Sequence, residues 1–216
     1  MNKPAPSLQP PVPKLRKGIL YVISAPSGAG KTSICRKILT LFPNLRQSIS
    51  YTTRAMRPGE QEGRDYHFVS RAVFERMVAD GAFAEWAEVH GNSYGTAGAT
   101  LEKASKEGVD ILLDIDFQGA EQLRRSGPNG VFIFILPPAM NELRKRLESR
   151  NTDDETVITR RMDNASAEIA EAVNFDYLVV NDVLNQAVEK VRAIMIAEAT
   201  RTERVINALP EEFGLK

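Results

Sequence analysis

The sequence predicts an α/β fold of three layers, built on a mainly parallel β-sheet. Short apolar runs at residues 19–24, 109–115 and 131–136 are rich in branched side chains, as strands buried on both faces of a sheet usually are. Stretches with helical spacing of apolar residues separate and follow these runs. Strands that alternate with helices indicate parallel strands joined by helical crossovers, with helices packed on the sheet.

A Pro-rich tail comes first along the chain. Prolines at positions 4, 6, 10, 11 and 13 block regular structure, so residues 1–17 are expected to be disordered. A helix is predicted at 31–41, with Ile34, Ile38 and Leu41 on its buried face. Farther along, helices are predicted near 120–125, over 140–147 and from 183 to about 208, and a short strand at 177–180.

Two segments interrupt the alternation of strands and helices. Residues 48–97 mix short strands, one helix near 72–79 and scattered turn residues, which indicates a lobe inserted into the core. Residues 146–172 are charged and helical, and Thr152 with Glu155 has the spacing of a capping box at a helix start. The core is therefore predicted to comprise residues 18–47, 98–145 and 173–216.

The charge balance and the cysteine content argue against several functional classes. The 216-residue chain carries 28 basic and 28 acidic side chains, without the basic excess expected of a protein that coats nucleic acid. Its apolar runs are too short to cross a membrane. A single cysteine, Cys35, cannot form an internal disulfide and suits the reducing cytoplasm. We therefore expect a cytoplasmic protein with neither a nucleic-acid nor a membrane partner.

A glycine-rich turn follows the first predicted strand and matches the phosphate-binding P-loop pattern G-x-x-x-x-G-K-S/T at all but its first glycine. Backbone N–H groups in such a turn, together with the dipole of the following helix, bind phosphate oxygens. Lys31 is expected to bridge the β- and γ-phosphates of ATP from an exposed loop position, and the Thr32 hydroxyl to ligate Mg²⁺. The alternative is a glycine-rich turn with a solvated lysine. The predicted ATP-binding residues are Ala25, Pro26, Ser27, Gly28, Ala29, Gly30, Lys31 and Thr32.

Two carboxylates lie at the end of the strand predicted at 109–115. Asp114 and Asp116 are two residues apart, so on a strand their side chains would share one face. Ligands of open parallel sheets bind at the carboxyl ends of the strands, which places this pair beside the P-loop. Asp114 is therefore predicted to take part in holding Mg²⁺, and the alternative is a pair of ordinary turn residues.

The inserted segment and this strand end carry several longer motifs. They read SYTTR at 50–54, RPGE at 57–60, GRDY at 63–66, FAEW around Glu85, GNSYGT at 91–96 and LDIDFQG at 113–119. In this order they resemble the signatures of bacterial-type guanylate kinases, which are P-loop kinases of nucleoside monophosphates. The resemblance spans residues 18–184 and implies transfer of a phosphoryl group from MgATP to GMP. Ala25, where the pattern has glycine, is a common variant in that family.

The resemblance also implies roles for individual residues. Segment 48–97 would be a GMP-binding lobe, and segment 146–172 a lid that closes over ATP. The implied GMP-phosphate residues are Arg54, Arg57, Tyr66 and Tyr94, and those around the base and sugar are Ser50, Glu85, Thr96 and Asp116. Arg146, Arg150 and Arg161 of the lid would join Lys31 and Arg57 in catalysis. Without the resemblance, the basic run at 143–150 would be interpreted as a solvated helix face.

The chemistry of guanine supports the role of Glu85. Guanine presents two adjacent donors, N1–H and the 2-amino group, and one carboxylate can accept from both. Adenine presents an acceptor at N1, which a carboxylate repels, and a buried polar group left unpaired discriminates strongly. Two alternatives stay open. Glu85 argues against a kinase for another base, and the intact Lys31, Thr32 and Asp114 argue against a non-catalytic scaffold module of the same fold.

Overall fold

A computed structural model of the chain describes residues 16–89, 91–127, 129–149 and 154–215. Residues 1–15 of the tail predicted at 1–17, Arg150 and Thr152 fall outside these residues. Arg16, which is described, donates to the Asp110 carboxylate over 2.6 and 2.7 Å. None of the helices in the described ranges combines the length and the apolar content that a membrane span requires.

The strands and α-helices of the described residues are numbered in chain order. The strands are β1 (Leu20–Ser24), β2 (Leu45–Gln47), β3 (Tyr51–Thr52), β4 (His67–Phe68), β5 (Phe83–Val89), β6 (Asn92–Ala97), β7 (Asp110–Asp114), β8 (Gly130–Leu136) and β9 (Tyr177–Val180). The α-helices are α1 (Lys31–Leu41), α2 (Arg71–Ala79), α3 (Gly98–Lys106), α4 (Phe117–Ser126), α5 (Met140–Glu148), α6 (Glu155–Ala170), α7 (Leu184–Ala199) and α8 (Thr202–Val205).

The larger sheet is parallel and forms the middle of three layers. Within the described residues its order is β2–β7–β1–β8–β9. Every residue of the central strand β1 is buried, as its apolar composition predicts. Tyr21 and Ile23 pack in the cluster formed with α1 and α7, whereas Leu20 and Val22 face α3 and α4 on the other side. The predicted α/β class with a mainly parallel sheet is confirmed.

A second, smaller sheet lies within the segment predicted to be an inserted lobe. Its order is β4–β3–β6–β5, and it is mixed, because β3 pairs parallel with β4 but antiparallel with β6. Strand β5 is attached to the core helix α4 by the Gln122 amide. The Trp86 N–H donates to Gln122 Oε1 over 3.1 Å, and Gln122 Nε2 donates to the Trp86 carbonyl over 2.7 Å. This clamp holds the edge of the small sheet against the core.

Helices α5 and α6 form a pair close to the P-loop. Leu143, Leu147 and Ala165 are buried between them. Helix α6 begins at Glu155, and the Asp154 carboxylate accepts a hydrogen bond from the Val157 N–H over 2.9 Å. Asp154 therefore occupies the N-cap position, and Glu155 is the first residue of the helix, not the third as the predicted capping box requires.

Other predicted boundaries differ where caps or packing decide them. The helix predicted near 120–125 begins at Phe117, because Asp116 caps it, and the helix predicted from 183 to about 208 ends at Ala199. Leu41 is 44% exposed, because α1 ends there and Phe42 packs against the core instead. The short strand β2 and the weakly apolar helix α3 are absent from the prediction.

Candidate active site

The P-loop connects the carboxyl end of β1 to α1. Gly28 and Gly30 adopt φ of 94° and 95°, a region that side chains rarely occupy. A Cβ at Gly30 would also lie 2.4 Å from Asn181 Nδ2, so this glycine is required by space as well as by conformation. Gly30 is the N-cap of α1 and has no side chain with which to cap it. The N-terminal N–H groups of the helix are thus directed at the phosphate position.

Asn181 fastens the P-loop to the end of β9. Its Nδ2 donates to the Ala29 carbonyl over 2.7 Å, and its own N–H donates to the Leu136 carbonyl over 2.8 Å. The side chain is buried, so both bonds are shielded from water. None of the sequence motifs includes this residue. Its position directly after a strand, at the carboxyl edge of the sheet, is the signal that could have found it.

Lys31 and Asp114 form an ion pair at the base of the P-loop. The Nζ lies 2.8 Å from Asp114 Oδ1 and donates to the Ile115 carbonyl over 2.6 Å. Burial lowers the pKa of Lys31, but the charge and hydrogen bond of Asp114 outweigh it, so the net pKa lies above its ordinary value. The prediction of an exposed loop lysine is wrong. Lys31 is the first residue of α1, and its side chain is only 20% exposed, because Asp114 holds it inward.

Asp116 plays a different structural role from Asp114. Strand β7 ends at Asp114, so the expectation that both carboxylates share one strand face is wrong. Asp116 instead caps α4, and its Oδ1 accepts from the Gly119 N–H over 2.9 Å. Both carboxylates nevertheless remain at the carboxyl edge of the large sheet, on the side where Lys31 lies.

The small sheet carries two of the predicted base-side residues, Glu85 and Thr96, on neighbouring strands. Glu85 on β5 lies directly opposite Thr96 on β6, and Tyr94 is two residues from Thr96 on the same strand. Glu85 is only 4% exposed. Burial raises the pKa of this carboxyl to about 7, with a smaller contribution from the negative charge of Asp116, although the neighbouring Thr96 opposes the rise. A carboxylate that loses water on burial needs hydrogen-bond donors, and a ligand with two adjacent donors would supply them.

An arginine and two tyrosines lie next to these residues. Arg54 donates through Nη2 to Glu60 Oε1 over 2.7 Å, and its guanidinium carbon lies 5.4 Å from the centre of the Tyr66 ring. The Tyr66 and Tyr94 rings are 5.9 Å apart. Burial first, and then the charge of Asp114, raise the pKa of Tyr66, which places this tyrosine within electrostatic reach of the core site.

Two further predicted GMP residues lie before and after β3. Arg57 is exposed on the turn after β3, where its backbone N–H donates to Glu60 Oε2 over 2.8 Å. Ser50 is half-buried just before β3, and its carbonyl accepts from the His67 N–H over 2.9 Å. The arrangement of Arg54, Arg57 and Glu60 keeps two guanidinium groups on one loop, where a phosphate could be bound.

Residues of α5 and α6 contact the P-loop and Asn181. Arg161 Nη2 donates to Ser27 Oγ over 2.6 Å, and Arg146 Nη2 donates to the Asn181 carbonyl over 2.9 Å. Glu168 of α6 is an acidic neighbour of the Ser27 backbone, and burial raises its pKa. No sequence pattern distinguishes Glu168 from the other charged residues of its helix. Arg150, the third predicted arginine, lies outside the described residues.

The candidate Mg²⁺ ligands suit an ion that arrives with ATP. Among the described residues, no cluster of three or more His, Cys, Asp or Glu side chains could hold a metal ion. Mg²⁺ in phosphoryl-transfer sites commonly takes one or two protein oxygens and completes its shell with water and substrate phosphates. The Thr32 hydroxyl, exposed at the first turn of α1, and the Asp114 carboxylate are oxygen ligands of that kind.

Comparisons with known proteins agree with this geometry. The sequence profile of the guanylate kinase family matches residues 17–198. The guanylate kinase of Syntrophotalea carbinolica is 61% identical over 190 residues, which cover 88% of this chain and 90% of the relative. That of Geobacter sulfurreducens is 54% identical over 93% of this chain and 98% of its own length. The crystal structure of guanylate kinase from Anaplasma phagocytophilum matches with a TM-score of 0.73 and 37% identity, over 88% of this chain and 90% of that one. The resemblance seen in the motifs is therefore confirmed, and the chain belongs to the guanylate kinase family.

Proposed function

We propose that this protein transfers the γ-phosphoryl group of MgATP to GMP and dGMP, giving ADP and GDP for purine nucleotide metabolism and GMP recycling. As a member of its family it is an enzyme, a nucleoside monophosphate kinase. The observation that supports GMP most directly is the burial of Glu85, 4% exposed, on a sheet separate from the P-loop. The location that fits this activity and the single, buried cysteine is the cytoplasm.

The phosphate end of ATP would be bound by the P-loop. The glycines at 28 and 30 let its backbone approach the phosphates closely, and the N-terminus of α1 favours their negative charge. Lys31 is held at the base of the loop by Asp114 and the Ile115 carbonyl, and from there its ammonium group would bind the phosphates. Its raised pKa keeps the ammonium group charged, as stabilisation of transferring phosphoryl oxygens requires.

GMP would be bound by the small sheet. Glu85 would accept from the guanine N1–H and 2-amino group, while Thr96, directly opposite, would offer its hydroxyl to O6. Arg54 and Arg57 would fork onto the GMP phosphate, with the Tyr66 and Tyr94 hydroxyls beside them. Asp116 and Ser50 would complete the site on the base and sugar side.

Catalysis would then come from alignment and charge. Phosphoryl transfer needs little covalent chemistry from the protein, so the positioning of the GMP phosphate in line with the γ-phosphate supplies most of the rate. Arg146 and Arg161 of the lid, together with Arg150, would neutralise charge that spreads over the transferring group. Helix α6 contacts Ser27 through Arg161, so its closure would exclude water and prevent hydrolysis. Mg²⁺, held by the Thr32 hydroxyl and the Asp114 carboxylate, would supply further positive charge to stabilise the transferring group.

Substrate preference tests the proposal directly. ADP release is measured in a coupled assay with GMP, dGMP, AMP, UMP and dTMP as acceptors. GMP and dGMP should react, and kcat/KM for AMP should be at least about a hundredfold lower, because Glu85 would face the adenine N1 acceptor. Equal rates with AMP and GMP would refute the GMP assignment, and absence of ADP release with every acceptor would favour a non-catalytic scaffold.

A further inference from the structure

Gly119 occupies a position at which any side chain would collide with Glu85. It is the third residue of α4 and is buried. A Cβ built on Gly119 would lie 2.4 Å from Glu85 Oε2 and 3.0 Å from Glu85 Cδ. Real Cβ atoms are not found at such separations, so the carboxylate would have to move by about 1 Å to restore van der Waals contact.

The backbone does not explain why this residue is glycine. Gly119 lies in regular helix, without the positive φ that requires glycine at Gly28 and Gly30. Its N–H donates to the Asp116 cap, but any residue except proline could make that bond. Alanine is the better helix former, so helix propensity argues against glycine here. What remains is the space that Glu85 occupies.

Neither partner can retreat without further cost. Glu85 is almost completely buried, beside Thr96 on the adjacent strand. The helix cannot move away freely, because Gln122 of α4 binds both backbone groups of Trp86, the residue that follows Glu85. These two hydrogen bonds hold α4 against β5. Gly119, which has no side chain, therefore packs directly against the Glu85 carboxylate.

We propose that Gly119 is a positioning residue for guanine recognition, because the absence of a side chain lets α4 support the Glu85 carboxylate in the orientation that accepts both guanine donors. The inference rests on the proposed role of Glu85 in binding GMP. It assigns to α4, a helix of the core, a part in selecting the base bound by the lobe. Gly119 acts only through Glu85, so its effect should appear in GMP use and not in ATP binding.

Gly119→Ala is the variant that tests this role. We expect kcat/KM for GMP to fall by about tenfold to a hundredfold, as a displacement of about 1 Å in a binding group predicts. The ratio of GMP to AMP use should fall with it, while the Kd for MgATP stays near that of the wild type. Gly98→Ala is the matched control. Gly98 is also a helical glycine without positive φ, at the start of α3, and its Cβ would meet only ordinary contacts at 3.7 Å or more.

A second substitution separates positioning from damage to the fold. Glu85→Asp shortens the side chain by one methylene, which should relieve the collision in the Gly119→Ala background. The double variant should therefore use GMP better than the product of the two single effects predicts. Additive losses, or a fall in ATP affinity in Gly119→Ala but not in Gly98→Ala, would overturn the inference.

The failure of this inference can be distinguished from the failure of the proposed function. If Glu85→Gln leaves the preference for GMP over AMP unchanged, Glu85 does not recognise guanine and the proposed base site is wrong. If Glu85→Gln removes the preference but Gly119→Ala retains wild-type kcat/KM for GMP, only the role of Gly119 is refuted.

Discussion

The protonation state of Glu85 should control how well the enzyme uses GMP. Burial and the charge of Asp116 raise the pKa of this carboxyl to about 7. The ionised form can accept from both guanine donors, whereas the protonated form presents a donor of its own to one of them. We therefore expect kcat/KM for GMP to be level above pH 7 and to fall by up to about tenfold for each pH unit below it. The Kd for MgATP should change little over the same range.

A pH profile of the wild type beside Glu85→Gln checks this expectation. Glutamine cannot titrate, so any decline that remains in the variant reports the phosphate groups of the substrates and can be subtracted. The wild type should show an additional step near pH 7 that the variant lacks. Parallel profiles in the two proteins would mean that Glu85 does not titrate in the free enzyme or does not bind guanine.

Candidate site residues that belong to a motif could be named from the sequence, and those whose proposed roles depend on geometry could not. The P-loop residues and Glu85 belong to sequence patterns whose chemistry can be recognised without a structure. The inward position of Lys31 depends on Asp114, which is far along the chain and meets it only in the fold. Asn181 belongs to none of the motifs, and Gly119, although it ends the LDIDFQG motif, has no side chain whose chemistry could suggest a role. The roles proposed for both depend on what lies within 3 Å of them.

Among the elements, buried strands were predicted more accurately than helix ends. β1, β7, β8 and β9 differ from the predicted ranges by one residue at most, because an apolar run ends where burial ends. The starts of α4 and α6 are set by the Asp116 and Asp154 carboxylates, each of which accepts a hydrogen bond from a backbone N–H of the first helical turn. Both residues lie in charged stretches of sequence, where a cap is hard to recognise.

The hydrogen bond between Asn181, which directly follows β9, and the P-loop should contribute to ATP binding. Asn181→Ala leaves the Ala29 carbonyl without its 2.7 Å partner and opens space beside Gly30. A buried group left unpaired costs about 1–3 kcal/mol, so we expect MgATP to bind roughly tenfold more weakly and the free energy of unfolding to fall by a similar amount. Isothermal calorimetry with MgATP and urea unfolding measure the two effects.

The exposed Asn141 supplies the control for this variant. Its side chain accepts from the neighbouring Glu142 N–H at the surface, so Asn141→Ala should change neither quantity appreciably. If Asn181→Ala lowers the free energy of unfolding but leaves ATP affinity intact, Asn181 supports β9 alone, and the P-loop holds its conformation without it.

At the scale of the whole molecule, three parts of the chain meet at the carboxyl edge of the large sheet. The small sheet is joined to the core by Gln122 and Trp86, and α6 is joined to the P-loop by Arg161 and Ser27. The charge of Lys31 opposes the rise in the pKa of Glu85, Tyr66 and Glu168, so this lysine of the core acts on side chains of both other parts. Two substrates bound on different sheets would therefore approach each other without either sheet having to change its fold.

Because the two proposed sites are on separate sheets, each substrate should stabilise the molecule independently. A ligand at 100 times its Kd that binds only the folded chain adds about 2.7 kcal/mol to the free energy of unfolding. Glu85→Gln should weaken GMP by roughly 2–4 kcal/mol, since a charge-assisted bond is lost and a donor faces a donor. At the concentration that saturates the wild type, GMP should then stabilise this variant little, whereas MgATP should stabilise it fully.

Lys31→Ala should give the reverse pattern in the same thermal unfolding measurements. The variant loses its contact with the phosphates of ATP, so MgATP should stabilise it little while GMP retains most of its effect. Its unliganded midpoint should fall somewhat, because Asp114 loses its partner at 2.8 Å, so each ligand shift must be taken relative to the same variant without ligand. If MgATP stabilises Glu85→Gln but not Lys31→Ala, and GMP stabilises Lys31→Ala but not Glu85→Gln, the two substrates bind at the two sites as proposed. If either substitution abolishes stabilisation by both ligands, the residue supports the fold and the division of the sites between the two sheets is wrong.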